Sequence, residues 1–377
     1  MILDQPPLWL ILVAFLAALG PLVFIHEYGH YIVARLFGVG AETFSIGFGR
    51  EVAGWTDRRG TRWKVGWLPL GGYVRFTGDM DPASMGKDLH KLPPAVRARA
   101  FHAKPVWQRF LIVLAGPMAN FVLAIGIFAA FFAFAGVPNT PAVAAQVLPQ
   151  SAAARAGLQP GDRITAMDGR AVEGFDDIAR FTMLRPGEQV RITVERGGQP
   201  VTLQATLDTA VEKDRFGQTY RIGRLGIANP SPTYERVGLL QLLPAATKAT
   251  VETTRSMVDG LWQIITGRRP VSELHGPMKM AQIAGQVASL GFFQFVQLVA
   301  LFSINLGFIN LLPVPMLDGG HLALYTVEAV RGRPLGERAQ EWVFRGGLAA
   351  LMTLLLFTTL NDLGSFGLWE RIGHLLG

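Results

Sequence analysis

His26-Glu27-Tyr28-Gly29-His30 stands inside a run that is apolar or small from Leu8 to Ile25, with Pro21 its only helix breaker. The apolar character resumes in Tyr31-Ile32-Val33-Ala34 and Leu36-Phe37. A run of this length and composition reads as a helix through a bilayer, where the backbone must satisfy its own polar groups. On a helix, residues i and i+4 lie one above the other. His26 and His30 can therefore present both imidazoles to one zinc ion, with Glu27 beside them to take a proton from a water. Three ionisable groups in a spanning helix are expensive, which weighs against the bland reading that they only line a polar seam. At ~1.5 Å per residue the chain travels about 27 Å before His26, so the histidines lie nearer the C-terminal end of the span.

The composition, 50% hydrophobic and 17% charged over 377 residues, fits a membrane core with soluble parts attached. The formal charge of +7 accompanies long apolar runs, so the basic residues read as cytoplasmic flanks rather than a nucleic-acid surface. With no cysteine, disulfides and thiolate ligands are excluded, and a zinc must be held by histidine and carboxylate. The N-terminus lacks the basic region of a signal peptide, and the first apolar run is read as a retained span.

Four spans are expected, at about 7–37, 106–135, 292–312 and 346–361. Between the first two, Lys and Arg outnumber Asp and Glu, which makes 38–104 cytoplasmic. Within it, Phe44-Ser45-Ile46-Gly47-Phe48-Gly49 and Trp63 to Phe76, including Gly71-Gly72-Tyr73, read as strands. They form either a small cytoplasmic sheet or a β-element dipping toward the histidines, its edge free to pair with an extended substrate. In the second span, Gly116-Pro117-Met118-Ala119-Asn120 interrupts the apolar run. Asn120 either bonds across helices or faces the site.

Residues 138–230 are richer in Pro, Gly and charge. Gly157-Leu158-Gln159-Pro160-Gly161-Asp162, the strand and turn after it, a helix from Phe175 to Leu184, and strands at 189–195 and 199–207 resemble a PDZ domain. Its groove, near Gly157 and Leu158, either adds a peptide strand or is occluded, leaving a spacer. Residues 231–291 read as an amphipathic interfacial helix and linker, with His275 a weak ligand candidate. The third span ends in Asn310-Leu311-Leu312-Pro313-Val314-Pro315-Met316-Leu317-Asp318-Gly319-Gly320-His321. Asp318 among prolines and apolar residues either caps the next helix or supplies a third metal ligand, and the two histidines favour the ligand. His321 is read as a neighbour that orients a ligand.

His26-Glu27-x-x-His30, Gly116-Pro117-x-x-Asn120, the PDZ-like insert and Leu317-Asp318-Gly319 occur in the order found in the site-2 protease family of intramembrane zinc metalloproteases. The chain is most similar to its regulator-of-sigma-E protease branch. The resemblance implies Zn2+ on His26, His30 and Asp318, with Glu27 as general base. It implies a membrane-re-entrant hairpin carrying Gly71, Gly72 and Tyr73, and a role for Asn310 in binding substrate; Asn120 joins these as a candidate substrate contact. The expected fold is a polytopic α-helical membrane protein with about four transmembrane helices, a membrane-associated β-hairpin and one inserted PDZ-like α+β domain. It divides into a first core half (1–137), the insert (138–230), the linker (231–291) and a second core half (292–377). The implied setting is a bacterial inner membrane, with the insert extracytoplasmic. The implied partners are the lipid bilayer and a single-span membrane protein: an anti-sigma factor already cut outside, or a signal-peptide remnant. A non-catalytic PDZ-bearing adaptor with a structural metal is the alternative, disfavoured by the intact Glu27. Well-studied members carry two PDZ domains, and only one signature is found here.

Overall fold

The computed structural model describes residues 6–78, 93–213, 219–228, 234–268, 271, 274, 276–333 and 335–365; His275 lies outside them. Along the chain, helix α1 (Leu8–Leu36) is followed by long strands β1 (Ala41–Thr56) and β2 (Arg62–Phe76). A helical turn α2 (Pro94–Arg97) precedes helix α3 (Val106–Ala135). Next come β3 (Val137–Pro138), β4 (Gln146–Val147), α4 (Ala152–Arg155), β5 (Arg163–Met167), β6 (Arg170–Ala171), α5 (Phe175–Met183), β7 (Gln189–Arg196) and β8 (Gln199–Thr206). Strands β9 (Asp208–Lys213), β10 (Thr219–Arg224), β11 (Ile227–Ala228) and β12 (Tyr234–Glu235) lead to helices α6 (Leu239–Ile265), α7 (Pro277–Ala288), α8 (Phe292–Leu311), α9 (Asp318–Arg331) and α10 (Glu337–Ser365).

Among the described residues, four helices are long and apolar enough to cross a membrane: α1, α3, α8 and α10. The first three match the expected spans closely. The fourth starts well before the expected residue 346 because its charged first turns also form helix, supported by an Arg345–Glu341 pair at 2.7 Å, four residues apart. It also runs past residue 361, where Asp362 is used structurally. The buried Asp362 carboxylate accepts the backbone N–H of Gly276 and of Lys279 at 3.0 Å each, satisfying the start of α7.

The chain divides into two compact units, 6–128 with 266–377 and 129–265. In the first, β1 and β2 are bent double. Residues 41–46 pair with 72–76 on one side and with 62–65 on the other, while 53–56 return along 62–65. Two strands thus make a small four-stretch sheet with 72–76 at one edge. Its inner face joins Tyr31, Phe44, Phe76, Phe101, Ile112 and Tyr325 in one buried cluster, tying the hairpin to α1, α3 and α9. A second cluster, Ala14, Ala284 and Leu298, packs α7 and α8 on the N-terminal half of α1.

In the second unit a sheet of order β6-β5-β7-β8 covers a core that includes Ile164, Met167, Ile192 and Val194. Helix α5 and strands β7 and β8 fall where the sequence reading puts them. The expected linker 231–291 divides between the units. Helix α6 is joined to the insert by Arg180–Glu252 at 2.8 Å, by Arg170–Asp259 with one contact at 2.9 Å, and by Lys248–Glu173. Residues 248, 252 and 259 lie along one side of α6. Leu240, Leu243, Val251 and Trp262 remain exposed.

Candidate active site

The helical spacing of α1 brings His26 and His30 together, their rings 4.9 Å apart and nearly perpendicular. Asp318 arrives from the first residue of α9. Its approach depends on two glycines. A Cβ on Gly319 would overlap the carbonyls of Leu311 and Leu312, and one on Gly320 would overlap that of Val314. The pair therefore lets α9 begin tight beneath the end of α8. The loop before it includes Met316 at φ 79°, a left-handed conformation unusual for a side chain of this size. From the other end, Glu328 of α9 is held by Arg109 of α3 at 2.6 Å, both side chains largely buried, with the guanidinium 4.9 Å above the Tyr325 ring. Asp318 thus stands on a helix anchored at both ends.

The three donor atoms form a triangle. His26 Nε2 is 3.3 Å from His30 Nε2 and 3.1 Å from Asp318 Oδ2, and His30 Nε2 is 3.5 Å from that same oxygen. Ligands at about 2.0–2.1 Å from a tetrahedral zinc stand about 3.3–3.4 Å apart, so the triangle has the size such an ion requires. Asp318 Oδ2 is buried and makes no hydrogen bond despite its nearness to both histidines, as expected of groups aimed at a shared central point. The donor set, two imidazoles and a carboxylate, also suits zinc. Among the described residues this is the one cluster of three or more such side chains close enough to share an ion.

Helix α3 supports the histidines. The Ile112 carbonyl stands 2.9 Å from His30 Nδ1. Gly116, one turn on, leaves the space the His30 ring occupies, since a Cβ there would overlap it. Asn120, another turn on, reaches His26 Nδ1 at 3.1 Å and is fully buried. Asn120, a candidate substrate contact on sequence grounds, is buried here between the helices, with its side chain turned to His26. The close approach of α1 and α3 rests on Gly29, whose Cβ would strike the Ala115 carbonyl and sit 2.8 Å from the Ala119 Cβ.

The hairpin reaches the same place. Glu27 accepts the backbone N–H of Val74. At Gly72 a Cβ would sit 3.0 Å from Glu27 Cγ and 2.8 Å from both Val23 Cγ1 and the Ser45 carbonyl. Gly71, at φ 85°, passes against the Phe48 ring. Tyr73 stacks on Phe48 at 6.0 Å and lies beneath Lys64. Of the two sequence readings of this element, the structure has the strand against Glu27. Asn310, near the end of α8, donates to its own helix at Leu306, 3.0 Å away. His321 is outside the triangle, its ring 5.2 Å from that of Phe344.

The expected groove residues of the insert are otherwise employed. The Leu158 side chain is buried in the domain core. Gly157 turns the chain at φ 80° while its carbonyl accepts from Arg196. Asp162 is buried, and the Arg196 guanidinium bonded to it at 2.7 and 2.8 Å holds its carboxyl below the usual range. Strand β10 closes against the end of α5 at Gly223, where a Cβ would overlap the Thr182 carbonyl.

The residues missed from sequence are mostly backbone groups: the Ile112 carbonyl, the Val74 N–H and the space left at Gly116. Only the Gly-Pro interruption hinted at the last. Comparison with known proteins agrees with this geometry. The model of peptidase family M50 matches residues 14–354. An Agrobacterium fabrum protein named "Putative zinc metalloprotease Atu1380" is 42% identical over 361 residues, covering 94% of this chain and 96% of that protein. The "Metalloprotease MmpA" of Caulobacter vibrioides is 38% identical over 392 residues, 97% and 98% of the two chains. The chain belongs to peptidase family M50.

Proposed function

We propose that the protein is a zinc-dependent intramembrane endopeptidase of the site-2 type, in the regulator-of-sigma-E protease branch, cutting single-span membrane proteins in the bacterial inner membrane. The observation that carries the reading is the buried triangle of His26, His30 and Asp318, with Glu27 next to it on a helix apolar enough to span a bilayer. Zinc, when bound there, supplies Lewis acidity for activating water and stabilising negative charge on a peptide carbonyl. Glu27 accepts the proton of the attacking water and returns it to the leaving amine. The Val74 N–H fixes the carboxylate, and Gly72 lets the strand lie against it.

A substrate helix hides its carbonyls in internal hydrogen bonds and must unwind to be cut. The edge formed by 72–76, with Gly71, Gly72 and Tyr73, is where we place the extended segment; Asn310 is assigned to its recognition. The substrate class is an anti-sigma factor after a first extracytoplasmic cut, or a signal-peptide remnant. The PDZ-like insert acts by bulk, refusing untrimmed substrates; a buried Leu158 and the closed edge at Gly223 favour this over capture of a peptide C-terminus. The exposed apolar side of α6 suits the membrane surface.

Two measurements test this. Purified protein should carry one zinc, lost in Asp318→Ala together with cleavage of a single-span substrate; full zinc in Asp318→Ala would remove that residue from the ligand set. Replacing 140–229 by a flexible linker should keep zinc and permit cutting of untrimmed substrate; an undiminished preference for trimmed substrate would put the gate elsewhere.

A further inference from the structure

We infer that Asn120 is a positioning residue of the metal site: its side-chain carbonyl accepts the Nδ1 hydrogen of His26 and so fixes the tautomer that presents Nε2 to the ion. The inference rests on the zinc reading above. His26 Nε2 is the atom in the triangle, 3.1 Å from Asp318 Oδ2 and 3.3 Å from His30 Nε2. To offer a lone pair there, a neutral imidazole must carry its hydrogen on Nδ1. The group facing Nδ1 is the Asn120 amide, fully buried, with Nδ2 at 3.1 Å and Oδ1 buried and bonded to nothing. A donor facing a donor while the amide oxygen is orphaned is costly on both counts. The two ends of an amide fill nearly the same volume, and only the bonding network tells them apart. Turning the amide over puts Oδ1 against Nδ1–H and replaces the clash of two donors with a hydrogen bond.

The arrangement then repeats what α3 does for His30. Ile112, Gly116 and Asn120 are spaced four residues apart and share one face. The first gives a backbone carbonyl to His30 Nδ1, the second gives room for the ring, and the third gives a side-chain carbonyl to His26 Nδ1. A backbone carbonyl could not serve twice, because the two rings lie at different heights on α1. The main-chain carbonyl of Asn120 accepts from Ser303 Oγ of α8 at 2.8 Å, tying this turn of α3 to α8. Partners of this kind orient metal-bound histidines and raise their basicity, and their loss typically costs about 10–100-fold in metal affinity.

The test uses full-length protein in detergent, with zinc affinity read by chelator competition and thermal unfolding of the metal-free form measured alongside. Asn120→Leu keeps the branched shape and removes the acceptor; Asn120→Asp keeps the acceptor. The expected result is zinc affinity weakened about 10–100-fold in Asn120→Leu and within a few-fold of wild type in Asn120→Asp, with similar unfolding of the metal-free forms. Wild-type affinity in Asn120→Leu, or equal losses in both variants accompanied by a large drop in metal-free stability, would overturn the assignment in favour of packing alone. Should Asn120→Leu fail to fold, nitrogen-15 histidine spectra of the zinc-loaded wild type decide the matter. They should show a protonated Nδ1 on the histidine whose signal moves in Asn120→Asp; an unprotonated Nδ1 there overturns the inference. A wild type that binds no zinc would instead bring down the metalloprotease reading itself.

Discussion

Gly72→Ala tests whether the hairpin is part of the active site. The added methyl would sit 3.0 Å from Glu27 Cγ and 2.8 Å from Val23 Cγ1 and the Ser45 carbonyl. Carbon atoms settle at about 3.5–4.0 Å, so the Glu27 arm and the strand must separate by roughly 0.5–1 Å. Overpacking of this kind costs about 1–3 kcal/mol of stability, small enough for the protein to fold. A displacement near 1 Å at a reacting group costs about 10²-fold in rate. Gly72→Ala should therefore keep its zinc, because the three ligands are untouched, and cleave a single-span substrate about 10–100-fold more slowly. Gly126→Ala on α3, where a Cβ meets nothing within 4 Å, is the control and should cleave normally. The assay is initial cleavage rate in proteoliposomes, with zinc content measured on the same preparations. A wild-type rate in Gly72→Ala would mean that the strand does not position Glu27.

Arg109→Leu should destabilise the protein by about 3–5 kcal/mol by leaving Glu328 buried and unpaired, and adding Glu328→Leu should restore much of the loss; thermal unfolding in detergent measures both. Asp162 has its carboxyl lowered by the bonded Arg196, so its stabilisation is complete above the unfolded value of about 3.9 and disappears as pH falls through the lowered folded value. Hydrogen exchange in the insert should accordingly be faster in Asp162→Asn than in wild type at pH 7, and the difference in stability should shrink below about pH 4. Single cysteines placed at Arg59 and Arg170 should be labelled from opposite sides of the membrane; labelling of both from one side would refute the four-span topology.

The parts of this protein that sequence reveals are those where one residue type has one plausible use. Two histidines four apart in an apolar helix, and a carboxylate stranded among prolines, needed only helical periodicity and the cost of buried charge to be paired across almost 300 residues. The spans α1, α3 and α8 are equally plain. Helix α7 was hidden because its buried positions are polar: Lys279, Gln282 and Gln286 lie inside, the reverse of the pattern that identifies a helix packed by apolar contacts. The full length of α10 was obscured by charges in its first turns that support helix without being apolar. Leu158 belongs to a motif that suggests a groove, yet its side chain joins Ile164, Met167 and Val194 in the buried core of the insert. Asn120 was visible as a polar residue needing a partner, but which partner depends on how α3 rotates against α1, and the glycines at 29 and 116 set that only in three dimensions.

Wild type and Glu27→Gln, each reconstituted with one single-span substrate, put the central claim to its most direct test when cleavage and bound zinc are measured on the same vesicles. Glu27 lies outside the ligand triangle, so both proteins should hold one zinc, and cleavage by Glu27→Gln should fall by about 10²–10⁴-fold, the range of a lost general base. Near wild-type cleavage by Glu27→Gln, or cleavage by wild type that persists after its zinc is stripped, would contradict the account.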